Sequence, residues 1–107
     1  MPAKYRVRVA AAAKADLREL LLYVANDRPA TAEKVKHRLV NGLKSLRFFP
    51  ERYSKIREKF HTKFIYRHVL IKPYRIIFRI FGNEVLVVRI VHQARLFQRA
   101  MLFELNR

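Results

Sequence analysis

The sequence predicts an α+β fold of two layers, with a helical hairpin packed on one face of a mostly antiparallel four-stranded sheet, in the order β-α-α-β-β-β-α. Three observations carry that expectation. Two neighbouring stretches repeat apolar residues at the helical spacing i, i+3, i+4, i+7, and four other stretches repeat them at every second position. The helical pair lies between the first and second strands, so its stripes must be buried against the sheet. Finally, 107 residues that are 51% hydrophobic are enough for one core and one domain over 1–107, and too few for two.

The opening Tyr5, Val7 and Val9 alternate with Lys4, Arg6 and Arg8, as in a strand with one wet face. An alanine-rich stretch follows, with Leu17, Leu20, Leu21 and Val24 as its apolar stripe and Lys14, Arg18 and Glu19 outside it. Asn26, Asp27 and Arg28 break the pattern. Pro29 suits the first turn of a second helix, where a missing N–H costs nothing. That helix carries Ala32, Val35, Leu39, Leu43 and Leu46 inward and Lys34, Lys36, Arg38 and Lys44 outward, until Pro50 stops it.

From Glu51 to Lys63 no period is visible, and Tyr53, Ile56 and Phe60 are expected to pin this long connection to the core. Three strands follow. Phe64 to Ile71 ends at the Lys72-Pro73 turn; Tyr74 to Phe81 and Val85 to His92 are joined by the two-residue hairpin signal Gly82-Asn83. Strict alternation puts Tyr74, Ile76, Phe78 and Ile80 opposite Arg75, Ile77, Arg79 and Phe81. In the last strand it puts Leu86, Val88, Ile90 and His92 opposite Val85, Val87, Arg89 and Val91. Arg95 to Leu105 is expected to close the chain as a short helix with Leu96, Ala100, Met101 and Phe103 as its apolar side.

Twenty-four Lys and Arg against eight Asp and Glu leave a formal charge of +16, so an anionic partner is expected. Without cysteine there is no disulfide framework and no thiol chemistry. Two glycines cannot build a phosphate-cradling loop or a dinucleotide fingerprint. No apolar run approaches the roughly 18 residues of a membrane span, and the N-terminus runs into a basic strand instead of a signal-peptide core. A cytoplasmic protein without membrane contact is therefore expected. His37 and His61 show no ligand spacing, and neither metal nor cofactor is expected.

The candidate partner or nucleic-acid surface is the arginine set Arg6, Arg8, Arg67, Arg75, Arg79, Arg89 and Arg95. One reading makes it the solvated side of a sheet. Yet Glu84 is the only acidic residue between Lys59 and Phe103, and like charges stacked across strands destabilise, which favours a partner surface. His68 alternates with Tyr66 and Leu70 and reads as core edge. His92 ends its strand on an apolar face, which suits packing or partner contact as well as proton transfer.

Taken together, Asp16-Leu17, Leu20, Tyr23-Val24-Ala25, Pro29 and Ala32 resemble the helical hairpin of the RelE/ParE toxin superfamily. So do Tyr74-Arg75-Ile76-Ile77-Phe78-Arg79-Ile80, Gly82-Asn83 and the run from Val85 through Val91-His92-Gln93-Ala94-Arg95. The resemblance covers residues 4 to 96. It implies the toxin of a type II toxin–antitoxin pair, sharing the fold above and held inactive in a hetero-oligomer with a cognate acidic antitoxin.

The superfamily has two branches. A RelE-like toxin would cleave mRNA on the ribosome, and the resemblance would then make Arg75, Arg95 and His92 catalytic, with Arg67 where a lysine is usual. Val69 and Met101 occupy two further catalytic positions without suitable chemistry, and arginine serves poorly as a base. A ParE-like toxin would poison DNA gyrase without catalysis. The long hairpin opened by Pro29 and the Val-His-Gln-Ala-Arg ending resemble this branch more closely, although the chain continues to Arg107 and the 50–63 loop lacks glycine. A basic nucleic-acid-binding module without toxicity is the third reading.

Overall fold

A computed structural model describes residues 4–58 and 63–98. Strand β1 (Arg6–Val9) leads into helices α1 (Ala11–Asp27) and α2 (Pro29–Ser45); a single 3₁₀ turn (Pro50–Arg52) and an irregular stretch precede β2 (Tyr66–Ile71), β3 (Tyr74–Phe81) and β4 (Glu84–His92). The sheet order is β1-β4-β3-β2. β1 runs parallel to β4, and the other two pairings are antiparallel. The expected α+β architecture is what the chain adopts.

The helical hairpin turns where the sequence breaks. Arg28 donates its N–H to the Val24 carbonyl at 2.7 Å, and Pro29 opens α2. Inward-facing Ala13, Leu39 and Leu46 meet Val69, Ile76, Phe78, Val85, Val87 and Ile90 in the main core. Gly42 marks the closest approach of α2 to the sheet: a Cβ there would stand 2.9 Å from the Ile71 Cδ1 and 3.2 Å from the Ile76 Cδ1. At the hairpin of β3 and β4, Gly82 adopts φ 59°, as the two-residue turn demands.

Strict alternation fails in β4, and a bulge is the reason. Ile77 stands opposite Arg89 while Phe78 stands opposite Val87, so Val88 is skipped. The extra residue shifts the phase. Val87 and Ile90 pack toward the helices, whereas Leu86, Val88 and Val91 share the other side.

That other side is not a bare polar surface. Tyr66, Ile77, Val88, Val91 and Phe97 form a second apolar cluster, with Ile56 and Phe64 packed against it. The patternless connection supplies part of this cover. Ile56 donates to the Tyr66 carbonyl and His68 to the Ser54 carbonyl, both at 3.0 Å, which adds a short antiparallel stretch along the outer edge of β2. Tyr53 meets Phe78 edge-on, 6.1 Å between centroids. Two of the three expected pins, Tyr53 and Ile56, thus reach the core; Phe60 lies outside the described residues, as does His61. The helix expected over 95–105 is not formed where the chain is described, since 95–98 run irregularly; Ala100, Met101 and Phe103 lie beyond.

Candidate functional site

The seven arginines do not gather on one face. Arg6 and Arg8 are exposed on β1, and Arg8 lies 3.5 Å from Glu84. Arg79 is half-buried, its guanidinium 3.9 Å above the Phe64 ring. Arg67 stands opposite Phe78 in register, hence on the helix side, and donates to the Tyr53 and Glu51 carbonyls at 2.8 and 3.3 Å. Arg95 exposes its side chain.

Two arginines are buried in ion pairs. Arg89 donates from Nε and Nη2 to the two carboxylate oxygens of Asp16, both at 2.8 Å. The same carboxylate accepts the Ile90 N–H at 2.9 Å. β1 ends at Val9, opposite Val87, so beyond that point the edge of β4 has no strand neighbour there. Asp16 supplies the acceptor the ladder no longer provides, and it ties the first turns of α1 to the bulge. Arg89 is thus a structural residue beneath the helices, not part of an exposed surface.

Arg75 is fully buried. Its Nη1 donates to Glu58 Oε1 at 3.0 Å, its Nη2 donates to Glu58 Oε2 and, at 2.7 Å, to the Arg95 carbonyl. Glu58 also accepts the Phe97 N–H at 2.6 Å. One carboxylate therefore binds the irregular loop, strand β3 and the segment after β4 to each other. Burial on its own would raise the Glu58 carboxyl; the Arg75 guanidinium and the Phe97 N–H outweigh it and hold the group down at about 2. His68 Nδ1 lies 3.3 Å from Arg75 Nη1, and burial, reinforced by that guanidinium, lowers its pKa.

The lowered Glu58 carboxyl has a consequence for stability. The pair contributes fully above the unfolded value of 4.5 and is lost as pH falls toward about 2. A Glu58→Gln variant should be less stable than wild type by roughly 3 kcal/mol near pH 5, because each tenfold change in proton affinity on folding is worth ~1.4 kcal/mol. In urea titrations that gap should close between about pH 4.5 and pH 2; a gap constant over this range would contradict the assignment.

His92 does not join Arg75. It stands opposite Tyr74 in register, while Arg75 stands opposite Val91. Tyr74 packs with the helix-side core and Val91 with the opposite cluster, so the two side chains leave opposite faces of the sheet. The His92 ring is exposed, meets Tyr74 edge-on at 6.0 Å, and accepts the Ala94 N–H at Nδ1, 3.1 Å away. The Arg95 main chain bridges the trio: its carbonyl accepts from Arg75 Nη2 at 2.7 Å and its N–H donates to the His92 carbonyl at 2.9 Å, while its side chain is exposed. Among the described residues no cluster of His, Asp and Glu could hold a metal ion, and no helix is long and apolar enough to cross a membrane.

Sequence reasoning missed Glu58 and undervalued His68. Glu58 sits in a stretch without periodicity, where nothing marks one acid among many basic residues. The available signal was arithmetic: a buried arginine on an apolar strand face requires a carboxylate, and the chain has eight acids to choose from.

The family model of the ParE toxin of type II toxin–antitoxin systems (parDE) matches residues 7–97. Among solved structures, the chain is similar to one from the chromosomal ParDE system of P. aeruginosa, at 20% identity and TM-score 0.70, covering 83% of this chain and 96% of that one. It is also similar to one from the RelBE2 toxin–antitoxin complex of Mycobacterium tuberculosis, at 22% identity and TM-score 0.57, covering 87% and 95%. At these identities the likeness establishes the shared fold. No curated protein matches significantly.

Proposed function

This chain belongs to the ParE toxin family of type II toxin–antitoxin systems, and on that premise we propose that it arrests growth by binding DNA gyrase, with no catalysis of its own, until a cognate acidic antitoxin neutralises it. The observation that carries the non-enzymatic reading is the state of Arg75. A catalytic arginine must offer its N–H groups to a scissile phosphate. Here both terminal nitrogens are engaged by Glu58 and the Arg95 carbonyl under complete burial. The proton carrier beside it among the described residues, His68, is partly buried against it. His92 leaves the other face. The RelE-like ribonuclease reading therefore lacks an assembled set of groups.

Support for an acidic antitoxin comes from charge. The formal charge is +16, and of the eight carboxylates, Asp16, Asp27, Glu58 and Glu84 are already engaged by arginines. Arg6, Arg79 and the lysines of α2 remain to be met from outside, in a hetero-oligomer. That the similar structures come from a ParDE toxin–antitoxin system and a RelBE2 toxin–antitoxin complex supports an antitoxin as the partner.

The test is a paired assay. Purified toxin incubated with gyrase and supercoiled plasmid should inhibit supercoiling and leave trapped cleavage products, while primer extension on a translated message should show no codon-linked cuts. The opposite outcome, cuts without trapped gyrase, would overturn the proposal.

A further inference from the structure

We propose that the cleft between the start of β2 and the end of β3 is a phosphate site for single-stranded nucleic acid, with the neighbouring Phe81 as a stacking surface for a base. The cleft is about 330 Å³ and is lined by Glu51, Lys63, Phe64, Arg67 and Arg79 among others. Two of its cations share one ring: the Lys63 Nζ lies 5.7 Å and the Arg79 guanidinium 3.9 Å from the Phe64 centroid. Arg67 lines the cleft from the helix side, where the Tyr53 and Glu51 carbonyls hold it. Holding two cations on one ring is unfavourable unless an anion compensates.

The cleft's own acid answers Arg67 and not the two cations on the Phe64 ring. The Glu51 carboxylate accepts the Tyr5 hydroxyl, which, together with Arg67, lowers its pKa. One carboxylate against three cations leaves the lining positive. Among the described residues no carboxylate lies within ion-pair distance of Lys63 or Arg79. A guanidinium stacked on a ring keeps its in-plane N–H groups free, the geometry that receives phosphate oxygens.

The second half of the site is Phe81, 70% exposed. It lies two residues from Arg79 on the same strand and so on the same face, about 7 Å along it. An exposed aromatic beside a phosphate-binding cluster is the pairing by which single strands are held without sequence preference: charge takes the backbone and the ring takes an unpaired base. A duplex buries its bases and cannot use the ring. The inference does not depend on gyrase, and no step of it involves Arg75.

Fluorescence anisotropy of the full chain with labelled oligo(dT) and oligo(U) of about 12 nucleotides, a typical site size, tests it. Lys63→Ala/Arg79→Ala should lower affinity about tenfold and reduce the slope of log K against log salt by about 1.4, the release expected for two single-strand phosphate contacts. Lys34→Ala/Lys44→Ala, which removes the same charge from the exposed side of α2, should change affinity less than about twofold. Phe81→Ala should weaken single-strand binding about fivefold and leave duplex binding unchanged. Whichever oligonucleotide binds more tightly identifies the source as DNA or RNA. Equal losses in the two double variants, no binding at low salt, an unaffected Phe81→Ala, or a duplex held as tightly as a single strand would each overturn the site.

Discussion

Replacing Asp16 with alanine should destabilise the protein by about 3–5 kcal/mol, the range for breaking a buried ion pair from one side. The side chains of Arg89 and Asp16 are 9% and 12% exposed, so truncation strands a guanidinium with little access to water. It also removes the acceptor of the Ile90 N–H, and a backbone donor left without a partner carries its own penalty. A loss of this size approaches the whole stability of many small domains. Urea titration should show a lower midpoint at unchanged slope. Asp27→Ala, which breaks an exposed pair with Arg28, should leave the midpoint where it was. Similar shifts in the two variants would show that Asp16 is not the tie between α1 and β4.

The second large effect lies at Arg75. Arg75→Met alone leaves the Glu58 carboxylate, 8% exposed, facing an apolar side chain, and should destabilise by about 3–5 kcal/mol. Adding Glu58→Met should restore part of that loss, because exchanging a buried ion pair for apolar groups is close to neutral, while the Phe97 N–H and the Arg95 carbonyl lose their partners. The double-mutant cycle isolates the coupling. A double variant as unstable as Arg75→Met would mean that Glu58 is not the group that answers Arg75.

What could be read from the sequence was whatever local periodicity encodes. The stripes Leu17, Leu20, Val24 and Val35, Leu39, Leu46 placed both helices, and Gly82-Asn83 placed the hairpin between β3 and β4, because each signal lies within a few residues of the structure it specifies. The helix-side residues of β3, Ile76 and Phe78, followed from alternation; those of β4 did not. The phase shift at Val88 was not legible: a bulge is decided by pairing with β3, and the run Val85-Leu86-Val87-Val88 reads equally well in either phase. That one residue redistributes Ile90 and Val91; the expected single arginine face fails separately, because the β2–β3 register puts Arg67 on the helix side and Arg89 is held by Asp16.

The site was legible in its parts and not in its grouping. Alternation puts Arg75 on the same strand face as Arg79, as one of seven surface arginines, and does not foresee its burial. Its partner lies 17 residues earlier in sequence, in a loop whose course depends on edge pairing of Ser54 and Ile56 with β2, and no local pattern announces such contacts. Alternation placed His92 correctly at a strand end, yet only the bulge-shifted register shows that it and Arg75 emerge on opposite sides. The cleft at Arg79 depends on Phe64, which alternation assigned to a strand and which the structure places before β2 begins at Tyr66.

The most direct measurement is therefore gyrase cleavage trapping by the Arg75→Met/Glu58→Met toxin, once its cooperative unfolding shows that it is folded. Trapping at the wild-type level is the result expected if Arg75 serves only to fasten the loop and the segment after β4 to the sheet. A folded double variant that no longer traps cleaved plasmid would show that the Arg75–Glu58 pair takes part in action on the target, and the purely structural role assigned to it would be wrong.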